Sequence, residues 1–341
     1  MKIKIYLNLK FLAVLVLALS AQSSLSQTLK PVLVVLNKGD ASMVIIDPVT
    51  MKVTGKVAVG DGPHEVVLSA DGKTAFVANY GGQAGPGSTL SVIDIATAKE
   101  LRRVDLMPLM RPHGLHLIGT KLYFTAETNR AIARYDTVAN KIDWIMGTGQ
   151  NGSHMVVVSA DGKKFYTANI GSDSVTAINF PQTAPPGASQ IVHIPVGKQP
   201  EAIDLSPDGK EVWLGLNAEG MAEVVDLATA KSVAKIDIKG RPYRVRFTPD
   251  GKYVICTMIP TKEILVIDAA TRKEVKRMKL DNIPLGVAFS ADGKTLFITA
   301  GRPNPNSEGN DQVLKIDLEK MTVTGTVNPG IAPDGIAVFG Q

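Results

Sequence analysis

Residues 63–79 read PHEVVLSADGKTAFVAN, and this stretch decides the fold. Apolar and polar residues alternate in short runs on both sides of Asp71-Gly72, a dipeptide typical of tight hairpin turns. The stretch therefore predicts two short antiparallel β-strands joined at Asp71-Gly72.

The same unit recurs along the chain, so repeats determine the architecture. The copies begin at Pro63, Pro112, Ser153, Pro200, Pro242, Pro284 and Pro333. Consecutive starts lie 41 to 49 residues apart. This period is typical of a propeller in which each repeat supplies one four-stranded blade.

We label the four strands of each repeat A to D, with the Asp-Gly turn between A and B. Strand C ends in an aspartate or asparagine seven times, at Asp47, Asp94, Asp136, Asn179, Asp226, Asp268 and Asp317. The first repeat lacks strand A, whereas the chain ends in a lone strand A that begins at Pro333. We therefore predict an all-β fold, a seven-bladed β-propeller with four-stranded antiparallel blades. The C-terminal strand should pair with the N-terminal strands and close the ring, which protects the sheet edges.

The Pro-x5-Ser-x-Asp-Gly-Lys motif and the Val-Ala-Asn and Thr-Ala-Asn stretches resemble the YVTN-repeat (YncE-like) β-propeller family. The resemblance extends over about residues 30 to 341, essentially the whole mature chain. It implies an extracytoplasmic propeller, and it implies no agreed catalytic motif.

The N-terminal segment has the pattern of a signal peptide. Lys2, Lys4 and Lys10 precede a nine-residue apolar run, residues 11–19, which is too short to span a bilayer. We predict a signal peptide over residues 1–26 and a single propeller domain over 27–341. The mature protein would be periplasmic or secreted, with no stable membrane insertion after cleavage. Cleavage would leave 34 basic against 32 acidic residues, so the charge does not indicate a nucleic-acid partner.

The repeat places one residue of each blade at the same position around the channel. Strand A is innermost in propellers, and its start, the end of B and the start of C meet at one rim, here called the top. The residues that follow the seven starts are His64, His113, His154, Glu201, Tyr243, Leu285 and Asp334.

Three of the five histidines occupy this one position in three consecutive repeats. Imidazole nitrogens are ligands of zinc, iron and copper, so His64, His113 and His154 are candidate ligands of a divalent transition metal. The alternative interpretation is structural: each imidazole bonds a neighbouring backbone group, or the polar mouth holds only water.

Further polar side chains should reach the same mouth. They are Asn79, Glu127, Asn169 and Asn217 at the ends of B strands, and Arg111 and Arg241 just before two starts. Such groups suit a small polar ligand, or they tie neighbouring strands together.

Two other residues have interpretations of their own. His116 lies three residues after His113, so in a regular strand it faces the opposite side and is expected to be a packed histidine. Cys256 lies among apolar residues of a B strand and is expected to be an inert core thiol.

No complete catalytic constellation is visible, which favours a binding or scaffold protein over an enzyme. Its top mouth would take a small polar ligand, a metal ion or a protein partner. The first alternative is a metal-assisted lyase or lactonase, with the three histidines as ligands and Glu201 or Glu127 as ligand or base. The second is a propeller subunit of a periplasmic redox complex, although no CxxCH haem-attachment motif is present.

Overall fold

The computed structural model describes residues 30–179 and 189–340. The predicted signal peptide, residues 1–26, lies outside the described residues. Across the described ranges the chain forms 28 β-strands and one 3-10 helix, Ile170–Ser172. Among these residues no helix is long and apolar enough to cross a membrane.

The strands are short and follow one another at turns. In chain order the first fourteen are β1 (Val32–Asn37), β2 (Ser42–Asp47), β3 (Lys52–Ala58), β4 (Pro63–Leu68), β5 (Thr74–Gly82), β6 (Gly85–Asp94), β7 (Lys99–Asp105), β8 (Pro112–Ile118), β9 (Lys121–Ala126), β10 (Ala131–Asp136), β11 (Lys141–Gly147), β12 (Ser153–Val158), β13 (Lys164–Asn169) and β14 (Ser174–Asn179). The other fourteen are β15 (Gln190–Pro195), β16 (Pro200–Leu205), β17 (Glu211–Leu216), β18 (Met221–Asp226), β19 (Lys231–Asp237), β20 (Arg241–Phe247), β21 (Tyr253–Ile259), β22 (Glu263–Asp268), β23 (Lys273–Lys279), β24 (Ile283–Phe289), β25 (Thr295–Gly301), β26 (Gln312–Asp317), β27 (Thr322–Val327) and β28 (Pro333–Phe339).

These strands form seven four-stranded antiparallel sheets, which confirms the predicted seven-bladed propeller. Six blades each use four consecutive strands, and the seventh has the order β28-β1-β2-β3. Strand β28 pairs with β1 from Val32 opposite Phe339 to Asn37 opposite Pro333. The predicted closure of the ring by the C-terminal strand is therefore confirmed.

The pattern of burial follows the position of each strand in its blade. Every residue of the inner-middle strand β1 is buried, because neighbouring blades cover both faces of the sheet. In outer strands such as β7, exposed and partly buried residues alternate, as expected where one face meets solvent. The core therefore consists of layers between blades. One such layer packs Trp213, Phe247 and Cys256 together.

The Asp-Gly turns form the rim opposite the top. In the turn that follows β4, the backbone N–H of Lys73 donates to Oδ1 of Asp71 at 3.1 Å. Gly72 has a φ of +66°, which a glycine adopts without strain, and an added Cβ would lie 2.4 Å from the Phe339 ring. The turn thus needs glycine for both its conformation and its packing.

A β-bulge near the start of each inner strand changes which side chains face the channel. In β8 the pairing moves from Pro112 opposite Ala126 to Leu115 opposite Phe124, so three residue steps on one strand match two on the other. The extra residue shifts the alternation of side chains along β8. His116 is half-buried and borders the central channel, as do its neighbours Leu115 and Leu117.

Candidate functional site

Three histidines stack against one another at the top of the channel. His64, His113 and His154, here called the histidine cluster, follow the starts of the neighbouring inner strands β4, β8 and β12. The ring centroids of His64 and His113 are 4.4 Å apart, and those of His113 and His154 are 3.8 Å apart. The structure thus brings together the three histidines that the repeat singled out.

His113 is the most enclosed member of the cluster, with a residue exposure of 1%. Within residues 30–179 and 189–340, neither of its ring nitrogens has a hydrogen-bond partner. Burial holds the pKa of His113 well below its usual range, and the neighbouring His154 and His64 act in the same direction. His113 is therefore a neutral imidazole with a lone pair available to a ligand.

His64 is held by a buried carboxylate. Its Nδ1 lies 2.9 Å from Oδ2 of Asp334, a residue with 0% exposure on the closing strand β28. Lys38 Nζ lies 2.8 Å from the same oxygen, and the Tyr243 hydroxyl donates to it at 2.9 Å. Burial alone would raise the pKa of Asp334, but the charges of Lys38 and His64 hold it well below its usual range. The carboxylate is thus ionised and lies against the His64 ring, whose Nδ1 forms no hydrogen bond within the described residues.

A second carboxylate holds His154. Nδ1 of His154 contacts Oε1 of Glu127, and the Tyr80 hydroxyl donates to Oε2 of Glu127 at 2.5 Å. Burial raises the pKa of Tyr80 to about 12, and the bond to Glu127 adds to the shift. The Arg111 guanidinium lies over the Tyr80 ring, 4.8 Å from its centroid. Arg111, Tyr80, Glu127 and His154 therefore form one connected chain of polar contacts.

An ion pair crosses the channel below the histidine cluster. Nη2 of Arg244 on β20 contacts Oε1 of Glu65 on β4. Oδ1 of Asp334 lies 3.8 Å from the same nitrogen. Because Glu65 directly follows His64, its carboxylate sits next to the histidine cluster and beside the channel.

The described residues include one group of side chains that could hold a metal ion, namely His64, Glu65 and His113. Their candidate ligand atoms all lie within 4.8 Å of one another. Ligand atoms in a tetrahedral zinc site with bonds of about 2.0–2.1 Å lie roughly 3.4 Å apart, so small side-chain rotations would close this group around an ion. Glu65 was absent from the metal ligands predicted from sequence, and His154, which was predicted, is not in this group.

The other predicted site residues occupy several different places. Asn79 is buried inside its own blade: Oδ1 accepts from the Gly60 backbone at 3.1 Å, and Nδ2 donates to Thr89 and Ser91 at 2.9 Å. Asn169 bonds Ser153, Ser174 and Thr176 in the same way. These two amides hold strands together, which is the structural role that the sequence analysis offered as the alternative to ligand binding.

The last three predicted residues lie around the cluster without a contact to its rings. Asn217 is half-buried, and its backbone N–H donates to the carbonyl of Gln199 at 2.9 Å. Arg241 is exposed. Glu201 is half-buried, and its charge helps raise the pKa of Tyr243, for which burial is the main cause.

Sequence reasoning missed four residues of the site: Lys38, Glu65, Tyr80 and Arg244. Glu65 and Arg244 both stand two residues after the start of a repeat, so the repeat contained a signal for them. A β-bulge lies at this position in both strands, and regular alternation along the sequence does not predict where its side chain lies. Lys38 and Tyr80 each directly follow a strand-B asparagine, and only the fold shows where their long side chains reach.

Comparisons with known proteins agree with the fold. A family model described as a YNCE-like beta-propeller matches residues 10–185. No curated protein sequence matches the chain.

Many solved structures are similar to the chain. A hydrazine synthase chain from Kuenenia stuttgartiensis shares 21% identity, with a TM-score of 0.67 over 81% of this chain and 89% of that one. A Bacteroides fragilis protein provisionally assigned as a 6-phosphogluconolactonase shares 14% identity, with a TM-score of 0.72 over 92% and 99%. The dihydro-heme d1 dehydrogenase NirN shares 14% identity, with a TM-score of 0.62 over 91% and 75%. At these identities the likeness shows the fold alone.

Proposed function

The chain belongs to the YNCE-like β-propeller family, and from that premise we propose that it is an extracytoplasmic binding protein that holds a divalent transition metal ion at the histidine cluster. The observation that carries the proposal is His113, whose two ring nitrogens are buried and have no hydrogen-bond partner in the described part of the chain. A buried polar group without a partner costs about 1–3 kcal/mol of stability. A bound metal ion would use the lone pair of this imidazole and remove much of that cost.

The two neighbouring donors suit the same ion. A metal-binding histidine commonly donates its second ring N–H to a carboxylate, which fixes the tautomer. Oδ2 of Asp334 lies 2.9 Å from Nδ1 of His64, where the two groups form an ion-pair contact and no hydrogen bond. A small rotation of the ring would complete that hydrogen bond and leave Nε2 of His64 for a metal. Glu65 pairs with Arg244 through Oε1, which leaves Oε2 as its donor.

Two imidazole nitrogens and one carboxylate oxygen form a donor set typical of zinc and other first-row transition metals. Calcium and magnesium prefer sites made of oxygen atoms alone, so they are disfavoured.

The charge around the cluster also permits a cation. The nearby acids are Glu65, Glu127, Glu201 and Asp334. The nearby bases are Lys38, Arg111 and Arg244. When all three imidazoles are neutral, the four acids outnumber the three bases by one. A divalent ion would therefore enter a site of modest negative charge.

The compartment is part of the proposal. The basic and apolar pattern of residues 1–26 supports export, and the protein would then meet its metal in the periplasm or outside the cell. A small polar molecule or a protein partner would then bind the metal ion from the exposed side of the histidine cluster.

The metal-assisted lyase or lactonase is kept as a second candidate because of one specific arrangement. Three protein donors leave a fourth position open on a tetrahedral ion, as in catalytic zinc sites. Next to it stand Glu127 and His154, which are in direct contact and could carry a proton. A turnover of lactones that requires both the metal and Glu127 would support this second function.

The proposal is tested by calorimetry with ZnCl2 on protein expressed from the full chain and purified without a histidine tag. We expect one zinc site per chain in the wild type and its loss in His64→Ala/His113→Ala. His193→Ala is the matched control, because His193 is an exposed histidine on the outer strand β15. Equal binding by wild type and the double variant would overturn the proposal.

A further inference from the structure

Below the histidine cluster the central channel widens into a cavity of about 600 Å³. This volume lies in the range of small-molecule sites, about 300–1,000 Å³. The lining extends from Glu65 and Arg244 at the upper end to Pro249, Phe289 and Phe339 near the Asp-Gly turns. The proposed metal site borders this space through Glu65 alone, and the rest of the cavity takes no part in the binding function proposed above.

The residue four positions after each repeat start belongs to the lining of the cavity. In blade order these residues, here called the middle ring, are Val67, His116, Val157, Asp204, Arg246, Ala288 and Ala337. Ala288, Ala337 and Val67 come from three consecutive blades and form an apolar side. His116, Asp204 and Arg246 provide the polar groups, so the cavity is amphipathic in cross-section.

Arg246 is the polar group with unused hydrogen-bonding capacity. Its side chain is 49% exposed, and its Nε lies 3.5 Å from Oδ2 of Asp204. No hydrogen bond from the Arg246 guanidinium to an acceptor in residues 30–179 or 189–340 is formed. Arg244, one layer above, is by contrast buried between Glu65 and Asp334. A planar guanidinium with free donors in a cavity is suited to bind a carboxylate through two parallel bonds.

Asp204 is the one acid that pairs with Arg246 among the described residues, and its oxygens also accept backbone hydrogen bonds. Oδ2 of Asp204 accepts the backbone N–H of Phe247 at 2.8 Å, and Oδ1 accepts that of Leu205 at 3.1 Å. Burial raises the pKa of Asp204, so its carboxyl group is protonated more readily than an exposed one. Burial and the charge of Arg246 lower the pKa of His116 to about 4, so this ring is neutral and can donate one N–H.

We propose that the channel cavity is a second binding site, distinct from the histidine cluster, for a small amphipathic carboxylate. The carboxylate would bind Arg246 and the ring N–H of His116, and the apolar body would pack against Val67, Ala288 and Ala337.

The ligand enters from the rim of the Asp-Gly turns. At the top, His113 and Asp334 are almost fully enclosed, and neither lines the cavity. At the other end the half-exposed Arg246 side chain shows that solvent reaches the cavity.

The test uses octanoate, octan-1-ol and octylammonium, which share an apolar body and differ in charge. Calorimetry on the full-length wild-type protein should show one octanoate per chain. The alcohol and the ammonium ion should bind at least tenfold more weakly. Arg246→Gln should weaken octanoate binding at least tenfold, and Arg246→Lys should weaken it less, because it keeps the charge and loses the planar fork.

Two further variants separate this site from the metal site. Ala288→Phe fills the apolar side and should also weaken binding, whereas His113→Ala should bind octanoate as the wild type does. Arg103→Gln, on the outer strand β7, is the matched control for loss of one arginine. Circular dichroism confirms the fold of each variant.

The inference is overturned if octanoate does not bind, if octan-1-ol binds as tightly, or if Arg246→Gln leaves the affinity unchanged. None of these outcomes bears on zinc binding, so the two proposals fail separately.

Discussion

Nζ of Lys38 lies 2.8 Å from Oδ2 of Asp334. Lys38 directly follows β1, and Asp334 is the second residue of β28, so this buried ion pair joins the two strands that close the ring. The same carboxylate oxygen lies 2.9 Å from Nδ1 of His64. Closure of the propeller and orientation of the histidine cluster therefore depend on one side chain.

Replacement of Asp334 by asparagine should destabilise the protein strongly. The change keeps the shape of the side chain but removes the carboxylate that pairs with the largely buried Lys38, whereas Arg244 keeps its contact with Glu65. Removal of one partner of a buried ion pair typically costs about 3–5 kcal/mol. Urea unfolding at pH 7 measures the loss in the free energy of unfolding.

The control for Asp334→Asn is Glu319→Gln, since Glu319 is exposed. It should change stability by less than about 0.5 kcal/mol. Equal stability of the two variants would show that the carboxylate of Asp334 does not hold the ring closed.

His116 should make the native state sensitive to mild acid. Its pKa is lowered from 6.5 to about 4 in the folded protein, so between these values the unfolded chain binds the proton and the folded chain does not. The stability that neutral His116 contributes is complete above pH 6.5 and is lost as the pH falls toward 4. The loss approaches about 1.4 kcal/mol per pH unit for one proton.

The measurement is urea unfolding of wild type and His116→Asn from pH 7.5 to 4. Asp204 and Arg246 face His116 in the middle ring, and both remain in the variant. The variant should lose stability less steeply below pH 6.5. Parallel profiles for the two proteins would contradict the assigned protonation of His116.

Cys256 should not react with thiol reagents in the folded protein. It has 0% exposure, and burial raises its pKa to about 12, so almost no thiolate is present at pH 8. A colorimetric thiol assay should detect no thiol in the native protein and one per chain in denaturant. Rapid reaction of the native protein would show that the layer around Cys256 opens readily.

The architecture was predictable because each repeat carries its own turn chemistry. Asp71-Gly72 and its four equivalents mark a hairpin in five of the blades, the aspartate or asparagine that ends strand C recurs seven times, and the lone strand at Pro333 implied its pairing with the first repeat. A pattern that is repeated seven times leaves few other arrangements for the chain.

The site was predictable only in part. One structural position per repeat identified His64, His113 and His154, because the residue after each start keeps its place in every blade. Glu65 was missed because it follows the repeated position by one residue, where the bulge in the inner strand alters the alternation of side chains. Neither Lys38 nor Tyr80 lies at that repeated position, and each reaches the cluster only through tertiary packing.

The central claim is that a metal ion binds between His64, Glu65 and His113, and zinc-edge X-ray absorption of the zinc-loaded full-length protein tests it most directly. We predict nitrogen and oxygen ligands at about 2.0–2.1 Å, with the scattering of two imidazoles. In His113→Ala the signal of a bound two-imidazole site should disappear. A zinc environment without imidazole, or one that is unchanged in His113→Ala, would contradict the account.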